Sequence, residues 1–130
     1  MLFRSCCTVR EDLITTIKKL VKRKKVFDHI LIETTGLADP APVAQTFFID
    51  ETMNELCRLD SIVTFIDAKF TAQHLDEEKP EGVENEAHEQ VAFADVLVLN
   101  KTDLVSSEEL EQTKQKLKGI NVHAPIIESQ

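Results

Sequence analysis

Asn100-Lys101-Thr102-Asp103 directly follows the apolar run Val96-Leu97-Val98-Leu99, and its residue types suit one task. A carboxylate at the end of a strand can accept two parallel hydrogen bonds from the N1–H and the exocyclic amine of guanine, a donor pair that adenine does not present. The asparagine side chain can fix the loop or reach the base, and the lysine stem can lie over the ring. The competing reading is an ordinary polar turn that caps the next helix. A place at a strand's carboxyl end, where open parallel sheets bind ligands, favours the base reader.

A second cluster is Ile30-Leu31-Ile32-Glu33-Thr34-Thr35-Gly36. An apolar strand that delivers Glu33 to the sheet edge is the Walker-B arrangement, in which the acid orients Mg²⁺ and its waters. Gly36 close behind leaves the backbone free to approach a terminal phosphate and to move when that phosphate departs. A third candidate is the adjacent pair Cys6-Cys7. Thiolates bind zinc or copper(I), but closed zinc sites need about four donors, and two adjacent cysteines do not complete one. Cys57, beside Leu56 and Leu59, reads as a structural thiol; His74 and His88, separated from these cysteines by long stretches, are weak ligand candidates, and His29 and His123, flanking strands, read as polar neighbours.

These residues need elements to position them. Thr8 with Glu11 reads as a capping box that opens a helix running to about Lys24, with Leu13, Ile14, Ile17, Leu20 and Val21 on one face. Residues 27–32 read as a buried parallel strand, and residues 61–66, ending at Asp67, as a second. Helices are expected at about 43–48, 51–59 and 83–94, with a polar stretch at 73–82 whose loop is residues 77–82. A third strand covers 96–99, Ser106 with Glu109 caps a helix to about Lys118, and a short strand closes the pattern at 124–127. Alternation of strands and helices predicts one α/β domain over residues 1–130, a mostly parallel sheet flanked by helices. Glu33, Asp67 and Asp103 would then stand at strand ends, with Glu33 and Asp103 facing a common crevice.

The bulk properties exclude several classes. A net charge of −8 over 130 residues, with 29% charged, argues against nucleic-acid and anionic-membrane partners. The basic run from Lys18 to Lys25 reads as a solvated helix end favoured by the macrodipole. No stretch reaches the length of a membrane span, and the first seven residues do not form a signal peptide. Three cysteines, an odd and low count, argue against a disulfide scaffold and suggest reduced thiols, so cytoplasm or an organelle interior is expected.

At the motif residues the chain resembles the CobW branch of the CobW/HypB/UreG family. The resemblance is carried by Cys6-Cys7-Thr8-Val9-Arg10, Glu33-Thr34-Thr35-Gly36-Leu37-Ala38-Asp39-Pro40, Pro42-Val43-Ala44-Gln45-Thr46-Phe47, Asn85-Glu86 through Asp95, and Asn100-Lys101-Thr102-Asp103-Leu104-Val105. It runs nearly end to end in one order. It implies a P-loop NTPase-like GTPase that handles zinc, cobalt or a related metal and delivers it to a client metalloprotein. In that frame Glu33 is the Walker-B acid, Gly36 the switch glycine, Asn100, Lys101 and Asp103 the guanine selectors, and Cys6 and Cys7 metal ligands. GTP or GDP with Mg²⁺ and a transition metal such as Zn²⁺ are the implied ligands.

Two departures qualify the implication. The family's glycine-rich lysine loop, expected before Cys6, has no counterpart, since Gly36, Gly82 and Gly119 are the three glycines and none cluster. The reading is therefore a partial GTPase domain without its first strand and phosphate loop, with weak or no activity alone. Arg4 stands where the family's Cys-x-Cys-Cys motif has its first cysteine, and a guanidinium does not ligate metal as a thiolate does. Alternatives from other classes are a non-enzymatic interaction module and a thiol metal binder independent of nucleotide.

Overall fold

The runs at residues 63–66 and 96–99 are apolar at nearly every position, the composition of strands in a parallel sheet. The computed structural model describes residues 3–22, 28–34, 39–76 and 85–130, with side chains described from residue 11 onward. In it, Val63–Asp67 (β1), Val96–Asn100 (β2) and Ile126–Glu128 (β3) form a parallel sheet in the order β1-β2-β3. β2 is central, pairing Val63 with Val96 through Asp67 with Asn100 on one side and Leu97 with Ile126 through Leu99 with Glu128 on the other. Asp95 pins this register. Its carboxylate accepts from the Ile62 N–H at 2.7 Å, while its own N–H donates to the Ile62 carbonyl at 2.8 Å.

Asp39 and Ser61–Gln130 fall in one compact unit, and Pro40–Asp60 with the described residues up to Thr34 fall in another. In the sheet-bearing unit, helices Thr71–Leu75 (α4), Glu86–Ala92 (α5) and Ser107–Ile120 (α6) accompany the strands. Leu97 and Leu99 are fully buried against Ile66, Val91, Ala94, Leu117 and Ala124, with Leu75, Leu110 and Ile126 at the margin. Burying each leucine contributes about 1.5–3 kcal/mol. The alternate positions Val63, Phe65 and Ile127 lie on the opposite face and are exposed, Phe65 at 72%.

The helix ends in this unit are capped by sequence-local groups. Asn85 accepts from the Ala87 and His88 N–H groups, and Ser106 with Glu109 forms a complete capping box. Asn121 ends α6 and acts as a clamp. Its amide donates to the carbonyls of Val91, Ala92 and Ala94 at 3.0, 3.3 and 2.8 Å and accepts from the N–H groups of His123 and Ala124.

The other unit holds Phe3–Val21 (α1), Ala41–Ile49 (α2) and Glu51–Leu56 (α3). Ile17, Phe47 and Met53 are its buried centre, with Leu13, Ile14, Val43, Cys57 and Leu59 packed around them. Pro42 lies in the first turn of α2, where no N–H is needed. Asp50 ends α2 and caps α3, accepting from the Met53 N–H at 3.0 Å.

Several expectations need correction. α1 begins at Phe3, so Thr8 and Glu11 lie within it; residues 3–7 hold no proline or glycine to stop the helix short of a cap. The helix expected to reach residue 59 ends at Leu56, with Cys57 half-buried at its C-terminus. Described residues 28–34, including Ile30, Leu31 and Ile32, form no strand, and Leu31 is 97% exposed. An apolar run becomes a strand by joining a ladder of hydrogen bonds, and none engages these residues. α4 was not expected, since a single turn has no periodicity to detect. The loop expected at residues 77–82 lies outside the described residues. Among the described residues no helix is long and apolar enough to cross a membrane.

Candidate nucleotide-binding site

Asp67 and Asn100 are register partners at the carboxyl ends of β1 and β2, so two polar side chains leave the sheet side by side. Beyond Asn100 the chain must turn from an extended strand into the 3-10 turn Thr102–Leu104. Lys101 makes that turn in the left-handed region, φ 60° and ψ 38°. For a residue with a Cβ this costs roughly 1–2 kcal/mol. Contacts on three sides offset it. The Lys101 ammonium donates to Asp67 Oδ2 at 2.7 Å. The Thr102 N–H and hydroxyl donate to the Ser129 carbonyl at 3.2 and 3.1 Å, and the Leu104 N–H donates to the Lys101 carbonyl at 3.1 Å. Ser129 is itself tied to the sheet through its N–H to the Leu99 carbonyl at 2.9 Å.

Asp67 is an anchor rather than a free acid. Its Oδ1 accepts from the N–H groups of Lys69 and Phe70 at 3.0 and 3.3 Å, and its carbonyl takes the Thr71 hydroxyl at 2.6 Å, which starts α4. The hydrogen bond from Lys101 is the largest cause holding its carboxyl below the usual range; partial burial opposes it, and the two backbone N–H groups add to it. Glu109, across the loop, is also held low, first by the Ser106 N–H and then by its hydroxyl.

Phe65, Ile66, Asp67, Asn100 and Lys101 line a hollow of about 190 Å³ at these strand ends. Asp103 stands exposed in the 3-10 turn, and Asn100 is half-buried. A larger hollow of about 360 Å³ runs beside α6 and β3. Its lysines are already engaged: Lys114 pairs with Glu128, and Lys118 donates to the carbonyls of Val122 and Ala124. The smaller hollow suits a planar, polar-edged ligand: Phe65 and Ile66 give its lining apolar surface, Lys101 stands beside them, and the exposed Asp103 carboxylate follows in the adjoining turn.

Asn100, Lys101 and Asp103 are thus brought together with Asp67 at one sheet edge. Glu33 is exposed in a segment without helix or strand and belongs to the other unit. Gly36 lies outside the described residues. Cys6 and Cys7 fall within α1, and their side chains are likewise outside them. Among the described residues no group of three or more histidine, cysteine or acidic side chains could hold a metal ion. Sequence reasoning placed Asp67 at a strand end but missed its partnership with Lys101, and it missed Asn121 and Ser129 altogether. An Asp at the last position of one strand, facing a lysine just past the next, is a signal that register alone makes readable.

A family model, the CobW/HypB/UreG nucleotide-binding domain, matches residues 4–128. The chain is 44% identical over 124 residues to zinc-regulated GTPase metalloprotein activator 1 of Schizosaccharomyces pombe, covering 95% of this chain and 29% of that protein. It is 35% identical to the zinc chaperone CobW of Pseudomonas aeruginosa, covering 88% and 34% respectively. Among solved structures, the Zn(II)-bound YjiA GTPase of E. coli matches with a TM-score of 0.73 and 32% identity, over 88% of this chain and 33% of that one. The chain thus spans about a third of the length of the proteins it matches.

Proposed function

The chain belongs to the CobW/HypB/UreG family, through its nucleotide-binding domain, and from that premise we propose that Asn100, Lys101 and Asp103 read the guanine base of GTP or GDP in a metal-trafficking GTPase. The observation that carries this reading is the loop after β2: a strained Lys101 held in place, an exposed Asp103 and a hollow at the strand ends. Asp103 accepts the guanine N1–H and amine together, Lys101 covers the ring with its stem, and Asn100 steadies the loop.

Replacing Asp103 by asparagine tests the assignment. Asparagine can accept from N1–H and donate to the C2 carbonyl of xanthine, but it cannot accept from the guanine N1–H and amine together, so preference should pass from GDP to xanthosine diphosphate. Binding followed by NMR titration should show GDP weakened about tenfold or more, as expected when a paired polar group loses its partner. Unchanged preference removes the base-reading assignment.

The same reading assigns Glu33 and Gly36 to the phosphate end, as the Walker-B acid and the switch glycine. Among the described residues no set of metal donors gathers around Glu33. The residues of this chain include no clustered glycines to cradle phosphates, and phosphoryl transfer depends on such a cradle for charge stabilisation. For this polypeptide the expectation is GDP affinity weaker than micromolar and no useful hydrolysis, checked by calorimetric titration and phosphate release. Cys6 and Cys7 are assigned as thiolate donors to a transported ion such as zinc, destined for a client metalloprotein. Two donors leave coordination positions open, as cargo that must be released requires. The thiols must stay reduced, which fits the cytoplasm. Zinc titration of a Cys6→Ser, Cys7→Ser variant checks this; unchanged affinity removes those thiols from the site.

A further inference from the structure

The base-reading assignment leaves the group nearest to it, Asp67, without a task. We propose that Asp67 is a positioning residue that fixes Lys101 beside the base site before nucleotide arrives, so that binding does not first have to order the longest side chain of the loop. The proposal rests on the assignment of Asn100–Asp103 as the base reader and adds a residue outside that motif.

The geometry divides the Asp67 carboxylate in two. Oδ1 is held by the Lys69 and Phe70 N–H groups, so the side chain cannot swing, and Oδ2 is left to meet the Lys101 ammonium at 2.7 Å. The Lys69 ammonium, two residues along the chain, lies over the Phe70 ring at 5.7 Å from its centroid. Register sets the spacing, because Asp67 ends β1 opposite Asn100 and Lys101 follows Asn100. Two consequences bear on a purine. A lysine carries large rotamer entropy, and ordering it in advance removes part of that cost from binding. With its charge matched at the tip, Lys101 presents an apolar stem to the hollow, the part of the residue suited to a ring face.

Asp67→Asn isolates this role. Asparagine can still accept from Lys69 and Phe70 and keep the turn, but it no longer offers a charge to Lys101. GDP would be titrated into the full chain, followed by NMR, for wild type, Asp67→Asn, Lys101→Ala, the double variant and Asp103→Asn, with acylation of the Lys101 amine read by mass spectrometry in parallel. Asp67→Asn should raise the GDP dissociation constant about two- to fivefold, the worth of a partly exposed ion pair. The double variant should be no weaker than Lys101→Ala, and Lys101 acylation should rise several-fold in Asp67→Asn. An equal loss from Asp67→Asn in the Lys101→Ala background would mean that Asp67 acts through the turn and would overturn the proposal. Tighter GDP binding in Asp67→Asn, which would make the pair a block, or unchanged acylation would overturn it as well. If Asp103→Asn alters GDP binding while Asp67→Asn is silent, the positioning role alone falls; if Asp103→Asn does nothing, the base reader falls and this role with it.

Discussion

Ile30-Leu31-Ile32-Glu33 and Val96-Leu97-Val98-Leu99-Asn100 read alike, an apolar run that delivers a polar residue. In the structure they diverge completely. Leu97 is fully buried between two neighbouring strands, while Leu31 is almost fully exposed in a segment with no ladder. The residue each run delivers diverges with it: Asn100 has a register partner, and Glu33 has none. Apolar composition makes a strand possible, and neighbours make it one. Precise placement of a side chain at a strand end comes from the ladder, so it exists at the β1 and β2 ends and not at Glu33.

The largest effect expected from this contrast is at the two leucines. Leu97→Ala should destabilise the sheet-bearing unit by about 3–5 kcal/mol, whereas Leu31→Ala should cost less than about 0.5 kcal/mol. Urea unfolding compares them, and a similar loss at Leu31 would show that its segment is packed in solution. Next comes Asn121→Ala, which strips partners from three carbonyls around the start of β2. A loss of about 2–3 kcal/mol is expected, with hydrogen exchange rising first at Val96 and Leu97. Ser106→Ala removes the hydroxyl cap of α6 and should cost about 1 kcal/mol by thermal unfolding.

The smallest effect is a pH dependence confined to the strand-end side of the comparison. The Asp67 carboxyl is held low in the folded chain. Its contribution to stability is therefore complete above the usual carboxylate range and is lost as pH falls through its lower folded value. Solvent screening of a partly exposed pair keeps this small. Urea midpoints from neutral pH to about pH 3 should fall less steeply in Asp67→Asn than in wild type; parallel slopes would show no linkage.

Much of this arrangement was readable in advance. The parallel sheet followed from the unalternating runs at 63–66 and 96–99, and the α6 start from Ser106 and Glu109, because each signal is local. The place of Asn100–Asp103 after a buried strand followed from the same runs. What was illegible depends on contacts across the chain. The Asp67–Lys101 pair is set by register, and the Asn121 clamp joins residues some thirty positions apart. The strand expected at 27–32 is not formed by the described residues 28–32 for the same reason in reverse: its composition describes what it would do between neighbours and carries no information on whether they are there. The roles of Glu33, Gly36, Cys6 and Cys7 rest on motif order rather than on any geometry.

Ser129 holds Thr102 through two hydrogen bonds to its carbonyl while its own N–H is bound to Leu99. The loop and the outer strand are therefore mechanically one piece. By reciprocity, whatever ligand stiffens the loop must also stiffen the backbone around Ser129, and loosening that edge must weaken the ligand. The Ser129 amide is thus a remote gauge: its NMR resonance and exchange rate should register occupancy of the loop without a probe ever being placed in the hollow.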